Sequence, residues 1–429
     1  MAVTTMGGDV VDQSDVAARL GDICGSPFVR RAGPDDAVAT TAPDWVVAPG
    51  TVGAVAEVLR LAADRDLAVV PRGSGSKLDW GAIPSHVDVV LDTGRLSGIW
   101  HHPAGSAAAR VGAGTTLRAA QQAVGRTGWR MSLDPPSPSA TLGGIVAADE
   151  AGPLSHQHGS PCRQVIGVDY VDATGELVRA VPDTADGDEL PSLLCGSQGA
   201  LAVLVSATVR LQPAPASRQW VRRGVATPLE AHDLVSELTE TGLHPAAIEL
   251  DLPPGSPAAA RTGRTGSLAV LFEGEPVSTR HRTASAVALL SGDASAADQP
   301  PTWWQHYPFA AGDIAIRLDV PPAHLYAAIY ALRDAFGAPV AVRGCAGTGL
   351  VHAALPGSTA PDRVAGILST VRTVLAARRG TCVVLTAPAE VRRAIDIWGQ
   401  VPGLTRLREL KQRFDPRHRL APGRLTGGL

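Results

Sequence analysis

"PRGSGSKLDWG", Pro71 to Gly81, follows directly on the apolar run "LAVV" and sets three glycines, two serines and a lysine within eleven residues. The lysine stands out, because Lys77 and Lys411 are the only two in the chain. Glycine tolerates positive φ and close backbone approach, so successive amides in such a loop can converge on a phosphate. Ser74 and Ser76 would add hydroxyl donors and Lys77 a point charge. The spacing is not that of a P-loop, which ends in Gly-Lys-Ser/Thr. Nor is it a dinucleotide fingerprint opening a helix, since "KLDWG" is a poor helix start. Read alone, the stretch fits a bare glycine turn equally well.

Working outward, "DWVVAPG" reads as a strand closed by Pro49 and Gly50. "TVGAVAEVLRLAADRD" carries Val52, Val55, Val58, Leu59 and Ala62 at helical spacing behind Thr51 as cap. "LAVV" then runs as a strand into the glycine loop, which makes a β-α-β unit. Further strands are expected at "HVDVVLDT", "AAARVGAG" and "ALAVLVSATVRLQP", and a hairpin in "VIGVDYVDATGELVRAV" turning at "DATGE". "QPAPAS" marks a boundary. Beyond it, helices in "PLEAHDLVSELTETG" and "AHLYAAIYALRDAFG" and strands in "SLAVLFEG", "DIAIRLDV" and "TCVVLTAP" indicate a separate α+β layer. "ASAADQPPTWWQHYPF" reads as an ordered connector without regular structure.

Two more glycine-rich stretches strengthen the ligand reading of the first. "SLDPPSPSATLGGIVAADEAG" joins a rigid proline turn to small residues, and "LLCGSQGALAVLVSATVRL" sets Gly196 and Gly199 ahead of a strand. Three such loops on one scaffold are hard to explain as turns.

Composition narrows the function. With 429 residues, 45% of them apolar, the chain is long enough for two or three cored domains. A formal charge of −3 without a basic block argues against nucleic acid. The N-terminus lacks the basic start and apolar stretch of a signal, and no apolar run is long enough to span a bilayer. The expectation is a cytoplasmic protein, able to sit at the inner membrane face through partners. Five scattered cysteines without a CxxC pair fit neither a disulfide framework nor a zinc or iron-sulfur site, and most are expected to be buried thiols; no metal site is expected.

The order "PRGSGSKLDWG", "GAGTTL", "LDPPSPSATLGGIVAADEAGP", "VIGVDYVDATGELV", "CGSQGALAVLVSATVRL" and "FDPRHRLAPGR" resembles FAD-binding oxidoreductases of the vanillyl-alcohol oxidase type, with their PCMH-type FAD domain. Through "KLDWG", "LDPP", "WWQHYPF" and "DIAIRLDVPP" the chain is most similar to the small FAD-binding subunit of bacterial glycolate oxidase. The resemblance implies an α+β protein: a PCMH-type FAD-binding domain of two α/β subdomains over 1–215, an α+β cap with an antiparallel sheet over 216–403, and a C-terminal segment, 404–429, returning to the FAD domain. It implies that the backbone of Arg72, Gly73, Ser74, Gly75, Ser76 and Lys77 wraps the FAD diphosphate. Thr141, Leu142, Gly143 and Gly144 would line flavin and diphosphate, with Leu133, Asp134 and Pro135 on the approach. Ile166, Gly167 and Val168 would meet the adenine end through the main chain, Gly199, Leu201 and Val203 would close the pocket, and Pro422, Gly423 and Arg424 would cover the cofactor. No histidine or cysteine stands where relatives attach FAD, so the flavin is expected to be non-covalent.

The resemblance further implies an FAD-dependent oxidoreductase subunit that oxidises a small 2-hydroxy acid by hydride transfer to flavin. Its partners would be a catalytic FAD-binding subunit and an iron-sulfur subunit. The alternative is a structural subunit of such a complex with weak or no FAD binding; a stand-alone sugar-nucleotide reductase lacks support from the second domain. Three departures bear on the choice. The segment 181–189, "VPDTADGDE", replaces a lysine, asparagine and glycine-tyrosine stretch. Ala421 stands where the family ends in "NPGR", and Asp149 takes the place of the asparagine in "AAND". A carboxylate at Asp149 would repel a diphosphate unless turned away or paired. Hydride abstraction from a 2-hydroxy acid needs a cation for the carboxylate and a base for the hydroxyl. Alternation in "DIAIRLDV" buries Ile314, Ile316, Leu318 and Val320 and turns Arg317 and Asp319 to the other face, making Arg317 the carboxylate candidate. His352 and His306 are the candidate bases.

Overall fold

The structure, a computed structural model, describes residues 13–180, 190–255 and 266–429. The 181–189 departure therefore lies outside the described residues.

Three sheets organise the chain. The first contains β1 (Val29–Arg31), β2 (Trp45–Val47), β3 (Val69–Arg72) and β4 (Val89–Asp92) in the order β1-β2-β4-β3. The β2-β4-β3 part is parallel, as expected of a β-α-β unit, and the connecting helix Val52–Arg65 buries Val55, Val58, Leu59 and Ala62. Its first turn is capped by Thr51, whose hydroxyl accepts the amide of Ala54 at 3.1 Å.

The second sheet is antiparallel, in the order β5-β6-β10-β8-β9, from β5 (Ile99–His101), β6 (Ala108–Gly112), β8 (Val165–Val171), β9 (Leu177–Ala180) and β10 (Val203–Pro213); β7 (Trp129–Met131) also pairs with β10. The β8–β9 hairpin turns where "DATGE" predicts it, with Asp172 Oδ1 accepting the amides of Thr174 and Glu176.

The third sheet has eight antiparallel strands in the order β14-β11-β13-β12-β16-β17-β15-β18. These are β11 (Ser217–Val225), β12 (Ala247–Leu252), β13 (Gly266–Gly274), β14 (Ser295–Ala297), β15 (Ile314–Asp319), β16 (Ala341–Cys345), β17 (Leu350–Leu355) and β18 (Thr381–Thr386). Helices Pro228–Glu240, Pro276–Leu290, Leu325–Phe336 and Pro361–Ala376 cover one face, and Ile314, Ile316, Leu318 and Val320 of β15 lie in the core between. The alternation read in "DIAIRLDV" is therefore realised, with Arg317 half-buried and Asp319 exposed on the opposite side. The segment expected to be wholly irregular instead contributes Ser295–Ala297 as an edge strand on β11.

The C-terminal helix Leu404–Phe414 and the residues after it return to the first sheet. Leu420 bridges to Val69, and the amide of Ala421 donates to Val69 O at 2.8 Å. Lys411, fully buried, locks this return: its ammonium donates to Asp415 Oδ2 at 2.7 Å and to the carbonyls of Ala200 and Leu420, each at 2.8 Å. Both lysines of the chain thus act inside the protein, each against a carboxylate.

Candidate functional site

The loop after β3 has an unusual backbone. The described contacts include no hydrogen bond from the amides of Gly73, Ser74, Gly75, Ser76 or Lys77 to a protein acceptor, although Leu78 and Trp80 close turns onto Gly75 O and Lys77 O. Five successive amides without protein partners are costly unless solvent or an anion meets them. Gly75 has φ +79, a conformation that favours glycine. These residues border an open cleft, with Gly143, Gly144, Ala147 and Ala148 on one helix and Gly199 and Ala202 on the third glycine loop forming a wall of small side chains.

The remaining predicted cofactor residues divide into two groups. Gly143, Gly144, Gly199 and Arg424 line the cleft together with residues 72–77. Leu133, Leu142, Val168, Leu201 and Val203 have their side chains in the hydrophobic core, so only their backbone is left to contact a ligand. Thr141 is buried and caps the Leu142–Ala148 helix through Gly144 N at 3.3 Å, while Pro135 is buried and Pro422 and Gly423 carry the turn into Arg424. Ile166 and Gly167 lie on β8, where the pairing with β10 slips out of register, away from this cleft. Gly143 has a structural reason for its missing side chain: a Cβ would sit 2.8 Å from the Cβ of Ala113. Sequence reading missed Thr93, Ala147, Ala148, Gln198, Ala202 and Leu204, which have no signature beyond small size or strand position.

The cations near the loop are committed to protein partners. Arg72 donates to Asp36 at 2.7 Å and to Asp92 at 2.7 Å, so it offers the cleft its main chain. Lys77 pairs with Glu150 and donates to Ser137 Oγ at 3.0 Å; burial pulls its pKa down, and the Glu150 charge opposes that. The point charge read from the sequence is thus turned away from the amides. Arg424 braces the loop instead, donating to Lys77 O and Leu78 O at 3.1 Å each; burial lowers it to about 10. Arg392, reaching over from the cap, holds Asp79 through both its carbonyl (2.7 Å) and its carboxylate (2.6 Å).

Asp149, expected to repel a diphosphate unless turned away or paired, accepts two neutral donors at Oδ1, Cys162 N at 3.0 Å and the Cys195 thiol at 3.5 Å. Ala421 holds φ +40, left-handed backbone that asparagine tolerates better than alanine.

At the Lys77 end the cleft meets the cap. Glu150 Oε1 accepts from Ser137 at 2.6 Å and from the Tyr307 hydroxyl at 2.7 Å. Rings continue the path: Lys77 lies 5.2 Å from the Trp80 centroid, Trp80 is 5.6 Å from Tyr307, and Tyr307 packs edge-on against His352 at 4.8 Å. On the cap sheet, Arg343, His352 and Arg317 stand opposite one another on β16, β17 and β15. His352 is buried, and burial together with the Arg317 charge depresses it to about 3, so it is neutral at physiological pH. Arg317 Nε is buried without a hydrogen-bond partner. His306 is exposed and its Nδ1 lies 2.7 Å from Trp304 O, so it stands apart from this row although it borders the same interface.

A second, smaller space of about 380 Å³ separates Pro136 and Gly152–Pro153 from Glu249, Gln305, Tyr307, Arg343 and His352. Burial raises Glu249 well above the carboxylate range and lifts Asp134 to about 8. Asp134 still accepts Leu154 N at 3.0 Å and Gln305 Nε2 at 3.2 Å.

Comparison with known proteins decides what the cleft is built for. The FAD binding domain family matches residues 43–180, the span holding the amide loop and the Leu142–Ala148 helix. Residues 43–180 are thus similar to an FAD binding domain. The chain is 32% identical over 171 residues to a D-lactate dehydrogenase of Archaeoglobus fulgidus, covering 39% of this chain and 38% of that protein. It is 29% identical over 217 residues to the glycolate oxidase subunit GlcD of Bacillus subtilis, 49% of this chain and 46% of that one. The matched part is thus less than half the length of these curated relatives. A solved alkyldihydroxyacetonephosphate synthase superposes over 98% of this chain and 86% of its own with a TM-score of 0.71 at 15% identity, which shows a shared fold across nearly the whole chain. The matched family points to FAD as the cofactor, and the unbonded amides facing small residues fit it.

Proposed function

We propose that the chain is an FAD-dependent oxidoreductase of the 2-hydroxy-acid kind, acting as the FAD-binding subunit of a glycolate oxidase-like complex with a catalytic flavin subunit and an iron-sulfur subunit. The observation that carries the reading is the run of five unbonded amides, Gly73–Lys77, opening onto the small-residue cleft. Bound there, FAD supplies a two-electron acceptor for the α-carbon hydride. The Gly73–Lys77 amides hold the diphosphate, Arg424 fixes their orientation from behind, and the Leu142–Ala148 helix leaves room alongside. Arg317, whose Nε has no hydrogen-bond partner, anchors the substrate carboxylate. His352 faces Arg317 across the sheet and is already neutral, so it can take the hydroxyl proton; a carboxylate on Arg317 offsets the charge that helps depress it. Tyr307 and Trp80 screen this end from water.

One observation favours the scaffold reading: Glu150, Lys77, Ser137 and Tyr307 bridge the space between the amide loop and Arg317. If that bridge stays closed, FAD binds without meeting a substrate. Anaerobic mixing of the flavin-loaded chain with glycolate, D-lactate and D-2-hydroxyglutarate separates the two. Bleaching of the flavin band by one of them, lost in Arg317→Ala, supports the enzyme; a band unchanged by all of them leaves the scaffold.

A further inference from the structure

Cys24, Cys345 and Cys382 are buried, whereas Cys162 and Cys195 are half-buried and side by side. Cys162 lies in the short Pro161–Gln164 helix. Cys195 ends the Leu190–Leu194 turn just before the Gly196–Gly199 loop of the cleft. A single carboxylate oxygen, Asp149 Oδ1, accepts both the Cys162 amide at 3.0 Å and the Cys195 thiol at 3.5 Å. Cys162 Sγ donates to Ser192 O at 3.9 Å, three residues before Cys195.

We propose that Cys162 and Cys195 are a hydroperoxide-responsive dithiol that closes to a disulfide beside the FAD cleft. The Cys162 thiolate attacks the O–O bond: an S–O bond forms, the O–O bond breaks, and water (or an alcohol) leaves with a proton. The Cys195 sulfur then attacks the Cys162 sulfenic acid; the S–S bond forms, the S–O bond breaks and a second water leaves. Two thiols lose two electrons and the hydroperoxide gains them. The surroundings assign the roles. The neighbouring Cys195 and Arg163 pull the Cys162 thiol down, against burial and Asp149. Cys195, whose thiol donates to Asp149 Oδ1 at 3.5 Å, is held protonated and serves as the resolving thiol.

The disulfide also reaches the cofactor, a consequence that rests on the FAD reading. It removes the Cys195 thiol from Asp149, the residue ending the Leu142–Ala148 helix, and strains the loop that Gly196 and Gln198 tie to that helix through Val146 O (3.0 Å) and Ala147 O (2.8 Å).

The test treats the full chain with a few equivalents of hydrogen peroxide, then counts thiols in denaturant and maps peptides by mass spectrometry. The expected result is a fall from five thiols to three, a peptide linking Cys162 to Cys195, and full recovery with dithiothreitol. Cys195→Ser should instead leave Cys162 as a sulfenic acid trapped by dimedone, while Cys24→Ser behaves as the parent. Five surviving thiols, or a linkage through another cysteine, overturn the proposal without bearing on flavin binding. An oxidised protein that binds FAD as tightly as the reduced one overturns the coupling to the cleft.

Discussion

Gly73→Ala tests whether the amide loop must pass close to the Leu142–Ala148 helix. The new Cβ would lie 2.0 Å from Thr141 Oγ1, 3.1 Å from Thr141 Cβ and 3.3 Å from Thr141 Cγ2. Relieving the first contact requires a shift of about 1 Å or more, since carbon and oxygen do not settle closer than roughly 3 Å. If the loop moves, two phosphate-facing amides lose alignment at about 1.5–3 kcal/mol each. That is about 3–6 kcal/mol, or roughly a hundredfold to ten-thousandfold weaker FAD binding. The overpacking itself costs about 1–3 kcal/mol of stability. FAD titration followed by flavin fluorescence, with thermal unfolding of the apoprotein alongside, measures both. Adding Thr141→Ala removes the oxygen and leaves only the 3.1 Å contact, so the double variant should recover most of the affinity despite losing the helix cap. A Gly73→Ala chain with parental FAD affinity and unchanged unfolding, or a double variant no better than the single, refutes the reasoning.

Other consequences follow from the buried charges. Lys411→Met strands Asp415 without its cation and should cost about 3–5 kcal/mol, read as a fall in urea midpoint, with Lys411→Met/Asp415→Leu recovering much of it. Asp134, raised by burial to about 8, is protonated in the folded chain where the unfolded chain is ionised. Its stabilisation is present below about pH 4 and lost as pH rises through about 8, a slope of up to about 1.4 kcal/mol per pH unit that Asp134→Asn should flatten in denaturation midpoints taken at several pH values. Arg317→Ala removes one of the two causes that depress His352, so the His352 imidazole resonances should titrate at higher pH than in the parent; an unmoved titration separates the two residues.

The sequence announced the architecture more fully than the site. Parallel β2-β4-β3, the β8–β9 hairpin and the buried side of β15 were readable, because each rests on local periodicity, a cap such as Thr51 or a turn such as "DATGE". The short strands β12, β16 and β17 fill the middle of the cap sheet without a signature strong enough to be read in isolation. At the site, glycine content pointed to the loop, and the unbonded amides agree with it. The destination of the charges was not legible. Lys77 turns to Glu150, seventy-three residues on, and Arg72 turns back to Asp36, contacts that depend on how distant segments meet. Asp149 looked hostile to a diphosphate because its partners, Cys162 and Cys195, are brought to it only by folding. The row of Arg343, His352 and Arg317 is a matter of register between three strands, and spacing along the chain says nothing about it.

The most direct measurement is the flavin content of the purified full chain: a visible spectrum before and after incubation with FAD, then assay of flavin in the supernatant after heat denaturation. Amides that grip a diphosphate predict about one FAD per chain, taken up at micromolar concentration and fully released by heat. A colourless chain that takes up no added FAD would contradict the account at its root.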